Sequence, residues 1–148
     1  MSDQLTPTPS PCHCINLRLA SRMMTKLYDD ILKPSGLRIT QYALLSRLHR
    51  SPKPMTINEL SQSLQVERTT LLRNLNPLLQ AGLVETQYPP ASKAYWLILT
   101  DKGQATWEAA RPLWVEAQEM AGDILGEAGM DMLRTVTAKL ALTKNFTG

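Results

Sequence analysis

The run ERTTLLRNLNPLLQAGLVE, Glu67 to Glu85, carries the side chains with most to offer chemically. At about 3.6 residues per turn, Leu71, Leu75, Leu78 and Gly82 fall in one stripe of a helix, and Thr69, Arg73, Asn76 and Gln80 lie opposite. Ordinary solvated helix faces favour Glu and Lys, whereas this flank offers short hydroxyls, amides and arginine. Such groups match base edges and phosphate oxygens, so the chemistry implied is recognition of a polyanion. Pro77 removes one backbone donor and crowds the carbonyl of Arg73, at about 3 kcal/mol if interior, and is expected to bend the helix. The bend either fits a groove or is a kink that packing tolerates.

Bond-making chemistry has little to stand on. There is no phosphate-cradling glycine loop, no HExxH pair and no nucleophile elbow. With two histidines and no convincing acid pair, an enzyme is not expected.

A chain of 148 residues with 43% hydrophobic and 20% charged residues is long enough to bury one core without staples. The net charge is only +3, but residues 37–102 hold eight Lys or Arg against four acids, and residues 103–148 hold four against six. A basic centre on a more acidic C-terminal part suggests a polyanion-facing module carried by a separate scaffold. SDQLTPTPSP reads as a flexible tail over residues 1–13, without the apolar stretch of a signal peptide. No apolar run approaches bilayer length, so a cytoplasmic chain with no membrane contact is expected. The triplet Asn145-Phe146-Thr147 matches a glycosylation acceptor by chance on this reading.

The elements that must position the polar flank follow from periodicity. Ile15, Leu19, Met23, Leu27 and Ile31 predict a long first helix that KPSG ends at Lys33 to Gly36. Thr40 is expected to cap a second helix that RSPKP closes. Thr56 stands three residues before Glu59, the capping-box spacing, and predicts a short third helix from Ile57 to about Leu64. After the quoted helix, Gly82 supplies a left-handed stop over which Leu83 packs back. LVETQY and AYWLIL around PPASK predict a hairpin over residues 83–99. A further helical region begins at Thr100 and Asp101, with a kink expected at Pro112 and a last helix from about Glu127. A capped helix, a turn, a helix with an outward polar flank and a hairpin make a winged helix-turn-helix, mainly α with a small β-hairpin. In that layout the second helix enters the major groove and the hairpin tip, here bearing Lys93, reaches the minor groove.

The segments GLRITQYALLSRL, MTINELSQSL, ERTTLLRNLNPLLQAGLVE and WLILTDKG, in that order and spacing, resemble the multiple antibiotic resistance regulator (MarR) family of bacterial transcription factors. CHCINLRLASR and RPLWVEAQ resemble a subgroup with an N-terminal CxC. The resemblance covers nearly all of the chain after the tail. It implies a homodimeric DNA-binding regulator, requiring no cofactor, whose N- and C-terminal helices (14–36 and 101–148) form the dimerisation region around a winged module at 37–100. Two such modules would read double-stranded DNA as a pseudo-palindromic operator, with half-sites roughly 34 to 36 Å apart. By the same resemblance, Arg68, Thr69, Thr70, Arg73 and Asn74 contact DNA from the recognition helix, and Thr56 and Ser61 are weaker phosphate candidates. Many members carry Asp-x-Arg at the wing tip, where this chain has Ala91, Ser92 and Lys93. A lysine lacks the planar fork and here lacks the acidic holder, so looser wing contact is expected.

The family often binds small aromatic or lipophilic effectors between the dimer helices and the winged module, which here directs attention to Met24, Tyr28, Tyr42 and Trp114. Core packing is the plainer account of Met23, Met24 and Trp114. Cys12 and Cys14, near Arg18 at a helix start, open the alternative of a thiol-based redox-sensing regulator. A bond between them is poor geometry within a helix, but the tail could adapt, and a bond to a partner chain is open. No metal site is expected, since His49 is the only histidine besides His13 and a closed zinc site wants four ligands. The altered wing leaves open a third class, a dimeric ligand-binding protein with weakened DNA binding.

Overall fold

The computed structural model describes residues 6–88, 90 and 94–143. Helix α1 (His13–Leu32) buries only Tyr28 and Leu32, at its C-terminal end. A 3-10 turn at Lys33–Ser35 leads into α2 (Ile39–Arg50). The expected cap, Thr40, lies inside α2, which starts one residue earlier. Its free N–H groups are met by acceptors from further along the chain and from another helix. Gln41 Oε1 accepts from Arg38 N–H at 3.0 Å, and Asp29 Oδ1 on α1 accepts from Ile39 N–H at 2.8 Å. A carboxylate delivered by α1 therefore does the work expected of the threonine.

The next two helices form as their local signals predict. Thr56 Oγ1 accepts from Glu59 N–H at 3.1 Å and Glu59 Oε2 accepts from Thr56 N–H at 2.9 Å, starting α3 (Ile57–Leu64). Each helix-start bond of this kind stabilises by about 1 kcal/mol. A turn through Gln65 in the left-handed region leads to α4 (Arg68–Gln80). The stop is a Schellman motif, with Gly82 N–H bonded to the Leu79 carbonyl at 3.1 Å and Leu83 N–H to the Leu78 carbonyl at 2.9 Å. Leu78 and Leu83 are both buried in the core, as the packing of Leu83 over the last turn requires.

The hairpin pairs β2 (Val84–Gln87) with β3 (Trp96–Leu99), Val84 opposite Leu99 and Thr86 opposite Leu97. A third strand, β1 (Met55–Thr56), pairs on the other side of β3, giving the antiparallel order β1-β3-β2. Two residues are too short to show a two-residue alternation, so this strand left no mark in the sequence pattern. The core lies between this sheet and α2, α3 and α4, around Leu45, Leu60, Leu75 and Leu97, all with no exposed surface.

Helix α5 (Asp101–Ala141) holds Pro112, but its helical backbone is interrupted at Gly126 (φ 68, ψ 173). That backbone conformation is essentially open to glycine alone. The elbow brings the Met130 sulfur within 3.3 Å of where a Cβ on Gly122 would sit, so residues 127–141 turn back on the helix that precedes them. The last helix therefore begins where the sequence placed it. Before the elbow, α5 packs on α1 through a second cluster of Tyr28, Ala117 and Ala121. Large apolar side chains stay exposed on both helices, among them Ile15, Met23, Ile124, Met132 and Leu133. No described helix is long and apolar enough to cross a membrane.

Candidate nucleic-acid interface

Helix α4 is held by Leu71, Leu75 and Leu78, each at most 2% exposed, which forces the opposite flank into solvent. Thr69, Thr70, Arg73, Asn76 and Gln80 are exposed there, as the helical period predicts. Arg68, at the first position of α4, is exposed and points its Nη1 toward Asn58 Oδ1 on α3 at 3.4 Å, a long contact that leaves the guanidinium available. Arg68, Thr69, Thr70 and Arg73 thus present donors along one surface with the N-terminus of α3 beside it.

The other candidates divide by what their polar atoms already do. Asn74 is half-buried, its Oδ1 accepting from the Thr40 hydroxyl at 3.0 Å and its Nδ2 donating to the Thr70 carbonyl at 3.1 Å. Its amide fastens α4 to α2. Ser61 Oγ donates to the Val66 carbonyl at 2.6 Å and so spends its proton on the turn between α3 and α4. Thr56 Oγ1 acts as an acceptor in the capping box and retains its own proton for a phosphate oxygen. Lys93, Ala91 and Ser92, the expected wing tip, lie outside the described residues, as does the triplet at residues 145–147.

Two features escaped the sequence reading. A cleft of about 140 Å³ between the N-termini of α3 and α4 and the base of the wing is lined by Thr56, Ile57, Asn58, Arg68, Ala94 and Tyr95. Tyr88, 70% exposed, pairs with Tyr95 across the hairpin at a ring separation of 5.7 Å. The second feature is the joint between α4 and α5. Thr100 Oγ1 accepts from Gly103 N–H at 2.9 Å and donates to the Gly82 carbonyl at 2.7 Å. Lys102 Nζ donates to the Ala81 carbonyl at 2.7 Å, and Thr100 N–H to the Leu83 carbonyl at 3.1 Å. The start of α5 thereby takes three carbonyls from the end of α4 and its exit, joining the two helices by hydrogen bonds.

Of the four expected effector residues, Tyr42 and Trp114 line one cleft between the winged module and α5, whereas Met24 and Tyr28 pack in the α1–α5 cluster that Trp114 also touches. Tyr42 is 4% exposed and stacks between Trp107 and Trp114, at ring separations of 6.2 and 5.9 Å. Burial pushes its phenol above the ordinary value, opposed by the Ser46 hydrogen bond and the Arg111 and Arg50 charges. A cleft of about 270 Å³ beside it is lined by Ile39, Tyr42, Ser46, Arg47, Arg50 and Trp114, with Ala43 and Leu64. Met24 and Tyr28 do not line that cleft; in their own cluster the Tyr28 hydroxyl donates to Gln118 Oε1 and burial pushes that phenol up as well.

Cys12 and Cys14 are both exposed free thiols, Cys12 at the N-cap of α1. Asn16 clips the preceding chain to the helix, its Oδ1 accepting from Ser10 N–H and its Nδ2 donating to the Ser10 carbonyl, each at 2.6 Å. Among the described residues, no three His, Cys, Asp or Glu side chains converge on a metal-sized site.

Comparison with known proteins places this geometry among DNA-binding folds. The family described as a helix-turn-helix domain matches residues 40–87. The chain is 34% identical to the transcriptional regulator MosR of M. tuberculosis, over 89% of this chain and 94% of that one, with a TM-score of 0.77. MosR solved in complex with DNA aligns over 88% and 97% at the same identity, with a TM-score of 0.75. The transcriptional repressor CouR, solved bound to p-coumaroyl-CoA, shares the fold at 24% identity, covering 88% of this chain and 92% of that one, with a TM-score of 0.77.

Proposed function

We infer that this chain, which belongs to the MarR family of winged helix-turn-helix transcriptional regulators, works as a homodimeric repressor that covers a promoter and is released by a small ligand. It is a DNA-binding regulator by family, and the observation that carries the finer reading is the polar flank of α4 presented by a packed winged module. In this reading Arg68, Thr69, Thr70 and Arg73 meet the duplex, Thr56 donates to a backbone phosphate, and Asn74 and Ser61 hold the helices in register. Lys93 supplies a wing cation. Residues 37–100 form the DNA-binding domain and residues 1–13 a tail. Residues 14–36 and 101–148 make the dimer, which gives the exposed apolar side chains of α1 and α5 a partner. The protein works in the cytoplasm.

A small aromatic or lipophilic effector would bind near Met24, Tyr28, Tyr42 and Trp114, entering at the cleft that Tyr42 and Trp114 line, where the stacked rings offer an apolar wall and Arg47 and Arg50 favour an acidic group on the ligand. The complex of CouR with p-coumaroyl-CoA gives such a ligand precedent within the fold. Occupancy there would shift α5, and through the Thr100 and Lys102 bonds would move the end of α4. Selection of binders from a random duplex pool tests the reading. An enriched inverted repeat with half-sites roughly 34 to 36 Å apart is expected. A folded, dimeric protein that enriches nothing would instead indicate a ligand-binding protein with weakened DNA binding.

A second reading rests on the exposure of Cys12 and Cys14 at the first turn of α1. Oxidation by peroxide would join the two sulfurs in one disulfide and reduce the peroxide to two waters, unwinding the turn that Asn16 holds. Peroxide should then release wild-type DNA complexes and spare those of a Cys12→Ser, Cys14→Ser double variant. Equal release from both would count against thiol sensing.

A further inference from the structure

We propose that Tyr88 and Tyr95 at the base of the wing form a sugar-phosphate contact that carries the DNA interface beyond α4. This rests on the regulator reading above and adds to it a surface that no base-reading side chain supplies.

Side chains along a strand alternate between its two faces with a period of two residues. Val84 faces Leu99 and Thr86 faces Leu97, so continuing the register by two places Tyr88 opposite Tyr95 on the same side of the hairpin. That is the side on which Val84 and Leu97 are 1% and 0% exposed. The core covers that side only as far as Val84 and Leu97; Thr86 is exposed beyond it and Tyr88 is 70% exposed. The two rings meet at 55° and limit one another's freedom, which lowers the entropy lost on binding.

The direction of that face is set by the cleft. Tyr95 lines it together with Thr56, Asn58 and Arg68, beside the point where α4 and α3 present their N-termini, and Tyr88 joins this surface through its ring contact with Tyr95. A duplex held against Arg68 and Thr69 continues across this surface. The occupant that matches it is the DNA backbone, since a tyrosine offers a hydroxyl to a phosphate oxygen and a ring to the deoxyribose. A neutral side chain displaces no condensed counterion, so its contribution differs in kind from that of Arg68.

The test measures affinity of the wild-type chain, Tyr88→Ala and Tyr88→Phe for an operator retained from the random pool and for an unrelated duplex, across a range of salt. Tyr88→Ala should weaken both complexes about fivefold, the size of one uncharged hydrogen bond with its packing, and leave the slope against salt unchanged. Tyr88→Phe should fall between, since it keeps the ring and loses the hydroxyl. Arg68→Ala, in contrast, should lower the slope by about one unit. Because Tyr88 is exposed, its variants should melt at the wild-type temperature. Wild-type affinity of Tyr88→Ala for both duplexes would overturn the proposal, as would a change of slope equal to that of Arg68→Ala. Absence of any duplex binding by the wild type would remove the regulator reading itself.

Discussion

Gly103→Ala is expected to cost about 3 kcal/mol of folding stability and to lower the thermal midpoint by roughly 10 °C. The reason is steric and local. A Cβ on Gly103 would lie 2.0 Å from the Leu83 carbonyl oxygen, 2.9 Å from its carbonyl carbon and 2.7 Å from Leu99 Cδ1. Two of these atoms belong to the Leu83 backbone, which the Schellman stop and the Thr100 bond hold. Alanine gains about 1 kcal/mol in helix propensity, which does not offset a clash with atoms that cannot rotate away. Relief requires the first turn of α5 to withdraw from Leu83, which would loosen the Thr100 and Lys102 bonds to the end of α4. Thermal unfolding at fixed protein concentration reads the effect. An unchanged midpoint would mean that α5 slides freely on the winged module, and the coupling of a ligand at the Tyr42 cleft to α4 would lose its structural basis.

Arg73→Ala should weaken binding to the specific operator by about 1 to 3 kcal/mol, with a smaller loss on an unrelated duplex. Arg73 is exposed near the middle of α4, flanked in the helix by Leu71 and Leu75, whose burial fixes the direction of its neighbours. Among the described residues it takes part in no salt bridge, the two present being Lys26 with Asp30 and Arg134 with Asp131. Truncation therefore leaves the fold alone, and the loss reports contact with DNA. A planar guanidinium pairs with two acceptors of one base, so the penalty should concentrate at one position of the half-site. Titration of both duplexes checks this, and equal affinities of variant and wild type for the operator would remove Arg73 from the interface. The contrast with Tyr88 is built in, because a backbone contact weakens all sequences alike.

Asn74 enters the interface through the family resemblance and not through the helical wheel, which sets Thr69, Arg73, Asn76 and Gln80 on the outward flank. It follows Arg73 directly, and its amide is engaged by Thr40 of α2 and the Thr70 carbonyl. A helical wheel orders residues by angle and cannot show that a neighbouring helix claims one of them.

Within the chain, the sequence by itself determined the helices whose start and stop are local. The capping box of Thr56 and Glu59, the leucine stripe of α4 and the Gly82 stop involve partners three to five residues apart, and each formed where the residues required. The elbow at Gly126 also follows a local rule, since few residues other than glycine accept its backbone angles, and the last helix starts beyond it. Only the tertiary structure decided what depends on distant partners. It added β1 to the hairpin, gave the cap of α2 to Asp29 instead of Thr40, tied the Asn74 amide to Thr40, and pressed Gly103 against Leu83. The physical reason is range: hydrogen bonds within one or two turns are written in residue spacing, whereas a contact across the core depends on where two separately specified elements come to rest.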